Sequence, residues 1–190
     1  MDMQTRIGMP MADFIREFNE APFELVNGEK VLLVPPVEEH SLVISYLFEM
    51  LVVYKQTNPN LYIFTETPFV LEDTKDWVKG SRVPDLMIYD KARIEEYWAR
   101  TPDHKSKPLI LVPDLCVEVI SANDSYLDVE DKVVGYLKDG VRLVWVFNPR
   151  QKVVTVRTPE KVVILAEADT LDSGELLPDF RLPIRALFAD

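Results

Sequence analysis

Two periodicities divide the chain. Between Glu39 and Tyr54 the apolar residues fall at Val43, Tyr46, Leu47, Met50, Leu51 and Tyr54, the three-and-four spacing of a helix that lays one face on a sheet. Residues 11–20 repeat the pattern in a shorter stretch, with Phe14, Ile15 and Phe18 on one side. Residues 125–138 suit another helix, closed by Asp139-Gly140 as a glycine cap. A charged helical stretch and a loop fill 91–108.

Short extended runs alternate with these helices. Phe23 to Val26 and Lys30 to Val34 flank Asn27-Gly28, a pair that tolerates the positive φ angles of a tight hairpin turn. Pro35-Pro36 ends the second strand, and Asn58-Pro59-Asn60 breaks the long helix. Leu61 to Thr65, Phe69 to Leu71, Val83 to Tyr89 and Leu115 to Ile120 read as further strands, the third with a proline near its start, where a missing N–H is tolerated. Val141 to Phe147 and Lys152 to Arg157 form a second hairpin around Asn148-Pro149. Residues 72–82, with Lys75, Asp76, Lys79, Gly80 and Arg82, are polar and predict a loop. The tail carries Gly174, Pro178 and Pro183 among short apolar runs. The mixed order predicts an α/β or α+β sandwich with helices packed on a mixed sheet.

Composition bounds this picture. At 190 residues and 47% hydrophobic, the chain suits one domain over 1–190 with a real core, residues 1–20 forming a helical extension. It shows no internal repeat and no low-complexity tract. The single cysteine, Cys116, excludes a disulfide framework, and nothing has the spacing of a structural zinc site. Residues 1–6 lack the basic start and apolar stretch of a signal peptide. The longest apolar-rich region, Leu42 to Val53, is interrupted by Ser45 and Glu49 and falls well short of the roughly 20 residues that span a bilayer. A cytoplasmic protein with a reduced, buried Cys116 is expected. The net charge of −11 argues against holding nucleic acid by bulk charge.

Glu118 is the informative anomaly. It lies within Leu115-Cys116-Val117-Glu118-Val119-Ile120, where a carboxylate is costly unless paired or metal-bound. Side chains alternate along a strand, so Glu118 shares a face with Cys116 and Ile120. Asp85 repeats the pattern within Val83-Pro84-Asp85-Leu86-Met87-Ile88. Two such carboxylates about 4 Å apart would repel by about 4 kcal/mol at an effective dielectric near 20, a conflict that a divalent cation removes. Oxygen donors without a nearby His or Cys favour Mg²⁺ or Mn²⁺ over Zn²⁺. The plain alternative is an Asp in a turn and a Glu paired with an Arg.

Ser121-Ala122-Asn123-Asp124-Ser125 follows with several helix N-caps. On the helix beyond it, Val129, Lys132, Val133 and Tyr136 lie near one face. Lys132 at its border can reach back towards Glu118, to orient a water or stabilise developing charge on a phosphate. Standing alone it would read as a snorkelling surface lysine. Tyr136, Trp145 and Phe147 read as core. Arg82 is placed either to touch a phosphate or to pair with an acid.

Phe23 to Glu29, His40 opening a helix, Pro84-Asp85, Glu118-Val119-Ile120-Ser121, Lys132, Tyr136, Gly140-Val141 and Trp145 form an ordered set. It resembles the Uma2 family of restriction-endonuclease-like proteins from about residue 20 to the end. The resemblance implies the PD-(D/E)XK nuclease fold, a central mixed sheet flanked by helices, here with an N-terminal β-hairpin. By it, Asp85 and Glu118 are metal ligands together with the main-chain carbonyl of Val119. Glu24 matches the family's N-terminal acidic residue and completes the metal shell, and His40 matches its histidine near the site. Two departures stand out. The usual lysine two places after the acid is absent, and its role passes to Lys132 on the helix. Residues 122–124 replace a Pro-Ser-Thr-like run.

The resemblance implies a Mg²⁺- or Mn²⁺-dependent endonuclease acting on DNA, working as a homodimer because one small domain covers little duplex. Two alternatives stay open. The net charge favours a binding or regulatory protein that keeps the fold without turnover. The same carboxylates also suit a metal hydrolase acting on another phosphate ester.

Overall fold

The Asn27-Gly28 turn has φ of +53° and +88°, so both positions adopt the left-handed conformation that the dipeptide tolerates. It joins the strands Phe23–Val26 and Glu29–Leu32 in register, Val26 opposite Glu29. The structure is a computed structural model and describes residues 6–74, 76–122 and 124–188. The expectations placed on Met1 to Thr5, Lys75 and Asn123 lie outside the described residues.

In chain order the elements are β1 (Met9–Pro10), α1 (Met11–Glu20), β2 (Phe23–Val26), β3 (Glu29–Leu32), α2 (Glu38–Thr57), β4 (Leu61–Thr65), β5 (Phe69–Thr74), β6 (Trp77–Arg82) and β7 (Leu86–Asp90). There follow α3 (Lys91–Arg100), β8 (Leu115–Val119), α4 (Tyr126–Asp139), β9 (Leu143–Asn148), β10 (Val153–Arg157), β11 (Val162–Leu165), β12 (Thr170–Asp172), β13 (Arg181–Pro183) and α5 (Ile184–Leu187). The central sheet has the order β11-β10-β9-β8-β7-β4. It is mixed: β8 and β9 are parallel, bridged by α4, and the other pairs are antiparallel. The expected central mixed sheet is therefore present.

Period-two alternation sends the sheet's side chains to two cores. Leu115, Val117, Val119, Trp145 and Phe147 pack with Val43, Leu47 and Leu51 of α2 and with the C-terminal segment. Met87, Tyr89, Cys116, Val144 and Val146 face the other way, onto Ile94 of α3 and Val133 and Tyr136 of α4. Helices cover both faces. Cys116 is fully buried, and burial pushes its thiol pKa well up, which leaves it an unreactive packing residue. Among the described residues no helix is long and apolar enough to cross a membrane.

The largest correction concerns 72–82, which predicts a loop but forms most of the β5–β6 hairpin. β6 is an interior strand of a second sheet, paired with β5 along one edge and with β1 and then β2 along the other. Its polar composition is accommodated locally. Ser81 is buried and its hydroxyl accepts a hydrogen bond from Leu25 N–H at 2.8 Å, supplying a side-chain partner for a strand N–H. Register shifts around Glu72 break the alternation that would have marked the strand. The N-terminal hairpin therefore belongs to a five-stranded sheet, and Met11 and Phe14 of α1 are buried against it with Phe23, Leu25, Val70 and Val78. The predicted strand 83–89 is also shorter. It starts at Leu86, and Val83-Pro84-Asp85 forms the crossing between the two sheets. The tail adds the strands β11 to β13, which its short runs do not announce.

Both ends of α4 carry readable signals. Among the candidate caps, Ser125 is the N-cap, accepting from Asp128 N–H at 3.1 Å. Gly140 closes the helix at φ +104°, and no atom lies within 4 Å of where a side-chain Cβ would stand. The Gly140→Ala variant meets no clash there and pays only the left-handed backbone conformation. It should lose about 1 kcal/mol in urea unfolding.

Candidate active site

The crossing at Val83-Pro84-Asp85 is where the chemistry collects. In the β7–β8 ladder Leu86 stands opposite Val117. One step further along that register would set Asp85 against Glu118, and directly opposed side chains lie close across antiparallel strands. The ladder stops there. Instead, Val119 N–H donates to Asp85 Oδ2 at 2.7 Å, so the carboxylate fills the place of a backbone acceptor. A strand residue's N–H and C=O point to the same edge, so the Val119 carbonyl is directed to the Asp85 side.

Glu118 is buried, 7% exposed, beneath α4. Lys132 Nζ donates to its Oε2 at 3.2 Å, and the Tyr136 hydroxyl donates to its Oε1. Lys132 also lies 3.6 Å from Glu24 Oε1. Glu24 comes from β2 in the other sheet, is 2% exposed, and accepts Val83 N–H at 2.9 Å. It thereby holds the crossing that carries Asp85. His40, in the first turn of α2, places Nε2 3.1 Å from Asp85 Oδ2, and its buried Nδ1 has no hydrogen-bond partner among the described residues. Asp85, Glu118, Lys132, Glu24, His40 and Val119 therefore meet at one junction.

The electrostatics follow from this crowding. Burial pushes the Glu118 pKa up to about 7; Lys132 opposes the rise, while Asp85 and Glu24 add to it. Burial works to lower the Lys132 pKa, but Glu118, Glu24 and Asp85 outweigh it and hold the ammonium charged. Burial likewise works to lower the His40 pKa, but the Asp85 hydrogen bond and the surrounding acids overcome it, and the pKa is raised. Burial, followed by the charge of Glu118, pushes the Tyr136 pKa well up, so the phenol remains a donor.

The donor set fits a hard divalent cation. Asp85, Glu118 and Glu24 gather around the Lys132 ammonium and the His40 imidazole, and carboxylate oxygens are the donors a hard cation takes. Among the described residues no group of three or more His, Cys, Asp and Glu side chains is arranged to hold a metal ion. Asp85, Glu118 and the Val119 carbonyl are the donors the resemblance names, with Glu24 completing the shell, and Mg²⁺ is an ion that binds one or two carboxylates and retains waters. A cleft of about 60 Å³ on the Glu118 side, lined by Glu118, Val119, Asp124, Asp128 and Lys132 among others, has room for such waters. The larger cleft of about 460 Å³, against Phe64, Trp98 and His104, has no carboxylate in its lining.

One sequence reading is extended, and one is decided in favour of the acid pair it offered. Tyr136 is core, but it is also a donor to Glu118; its position four residues after Lys132 on one helix face was the available signal. Arg82 pairs with Asp139 at 3.2 Å and packs under Gly135, so it anchors α4.

A mixed sheet covered by helices on both faces, with carboxylates gathered where two strands part, is the arrangement expected from the resemblance to restriction-endonuclease-like proteins, and comparison with known proteins supports that class. A solved structure described as "a putative nuclease belonging to DUF820 from Anabaena variabilis ATCC 29413" has this fold, with a TM-score of 0.76 and 19% identity over 95% of this chain and 97% of that one. The model of the Uma2 family, described as "Putative restriction endonuclease", matches residues 11–185. The chain belongs to the Uma2 family. No curated protein matches it.

Proposed function

We propose that the protein is a metal-dependent endonuclease that hydrolyses DNA phosphodiester bonds. The observation that carries this reading is the convergence of Asp85, from the crossing that leads into β7, and Glu118 of β8 with Lys132 from the helix above. Asp85, Glu118 and the Val119 carbonyl would hold Mg²⁺ or Mn²⁺. When bound, the ion polarises the phosphate and lowers the pKa of an attacking water. Glu24 supports the shell through the Val83–Asp85 crossing and through Lys132. His40 fixes the orientation of Asp85. Lys132 orients the water or neutralises charge on the phosphate as it develops.

The test is nicking of supercoiled plasmid by the purified protein with Mg²⁺ or Mn²⁺, against the same reaction with EDTA. Metal-dependent nicking is expected. Cleavage of a nucleotide-ester panel with intact plasmid would transfer the same machinery to a small phosphate ester. Lys132→Met removes the ammonium while keeping the stem's bulk. It is expected to slow plasmid cleavage by roughly 10²-fold or more while metal binding, read by calorimetry, persists.

The net charge of −11 favours a second reading, a nuclease fold that binds without turnover. Metal-free DNA binding in gel shifts, together with no calorimetric heat from millimolar Mn²⁺, would select it. In the nuclease reading the protein acts in the cytoplasm as a symmetric homodimer, and sedimentation would read twice the 21.9 kDa chain mass.

A further inference from the structure

We propose that Tyr136 is a positioning residue for the acidic site: its hydroxyl holds one oxygen of Glu118, so that the other alone is presented towards Lys132 and the cation. This rests on the metal-dependent reading above.

Lys132 and Tyr136 are four residues apart, one helical turn, and therefore emerge on the same face of α4. They divide the Glu118 carboxylate between them, Tyr136 on Oε1 and Lys132 on Oε2. The helix that carries them is seated firmly. Arg82 packs under Gly135 and pairs with Asp139, and Val141 N–H donates to the Tyr136 carbonyl at 3.0 Å.

Tyr136 is fully buried among Phe69, Cys116 and Val133. Phenylalanine would fill that volume without bringing a polar atom. A buried hydroxyl is costly unless it is satisfied, and its partner here is the site's own carboxylate. Without it, both Glu118 oxygens are free to turn onto Lys132, and the carboxylate loses the orientation shared with Asp85. Groups that orient metal ligands in this way typically alter metal affinity by about 10- to 100-fold when removed.

Tyr89 supplies the control. It is equally buried and its hydroxyl donates to the Leu111 carbonyl at 2.7 Å, away from the acids. Isothermal titration of the full chain with Mn²⁺ should show Tyr136→Phe weakened about tenfold or more, with Tyr89→Phe at the wild-type value. Wild-type affinity in Tyr136→Phe overturns this inference alone. Absence of Mn²⁺ binding by the wild type overturns the metal reading and this inference with it. A second measurement needs no variant: in wild-type protein carrying ¹³C-labelled tyrosine, Mg²⁺ should move the Tyr136 Cζ resonance and leave that of Tyr89 in place. An unmoved Tyr136 resonance at saturating Mg²⁺ overturns the inference even if Tyr136→Phe does not fold.

Discussion

Glu118→Gln and Asp85→Asn should each reduce Mg²⁺-dependent plasmid cleavage by roughly 10³-fold or more, because each removes a charged donor from the group that holds the cation. The substitutions are close in shape, so the amides keep most packing contacts, and circular dichroism melts should show a folded protein. The double variant should cleave no more slowly than either single one, since residues that act as a unit are not additive. Additive losses would mean that the two carboxylates work independently. Cleavage at the wild-type rate in either variant would eliminate the mechanism.

Trp145→Ala should destabilise the fold by about 3–5 kcal/mol, a large share of the roughly 5–15 kcal/mol that holds a typical domain together. Trp145 is fully buried in the core beneath α2, stacks on Phe180 with centroids 5.7 Å apart, and meets Phe147 edge-on. Truncation leaves a cavity between the central sheet and the C-terminal segment. Among the described residues the indole N–H has no hydrogen-bond partner, so Trp145→Phe removes no bond made to them and should cost clearly less than alanine. Urea unfolding with an unchanged slope checks both values. A loss below about 1 kcal/mol for alanine would show that the core collapses around the gap.

Much of the framework was legible because local rules were left undisturbed. The spacing along α2, the Asn27-Gly28 turn and the Gly140 cap each depend on neighbouring residues only. Glu118 was legible for the opposite reason, since a carboxylate inside an apolar strand breaks the local rule. The β6 strand was not legible, because its polar residues are satisfied by distant partners, as Ser81 is by Leu25. Tyr136 looked like core because its ring is core, and its hydroxyl acquires a purpose only when β8 lies beneath α4.

The chain by itself thus determined the four longer helices, most strands, the family resemblance and the identity of the unusual acids. Tertiary structure decided the register that brings Asp85 to Glu118, the joining of Glu24 from one sheet to Lys132 over the other, and the approach of His40 from α2. Periodicity is a property of residues a few positions apart, whereas the site joins residues 24, 40, 85, 118 and 132, whose meeting depends on how separate elements pack.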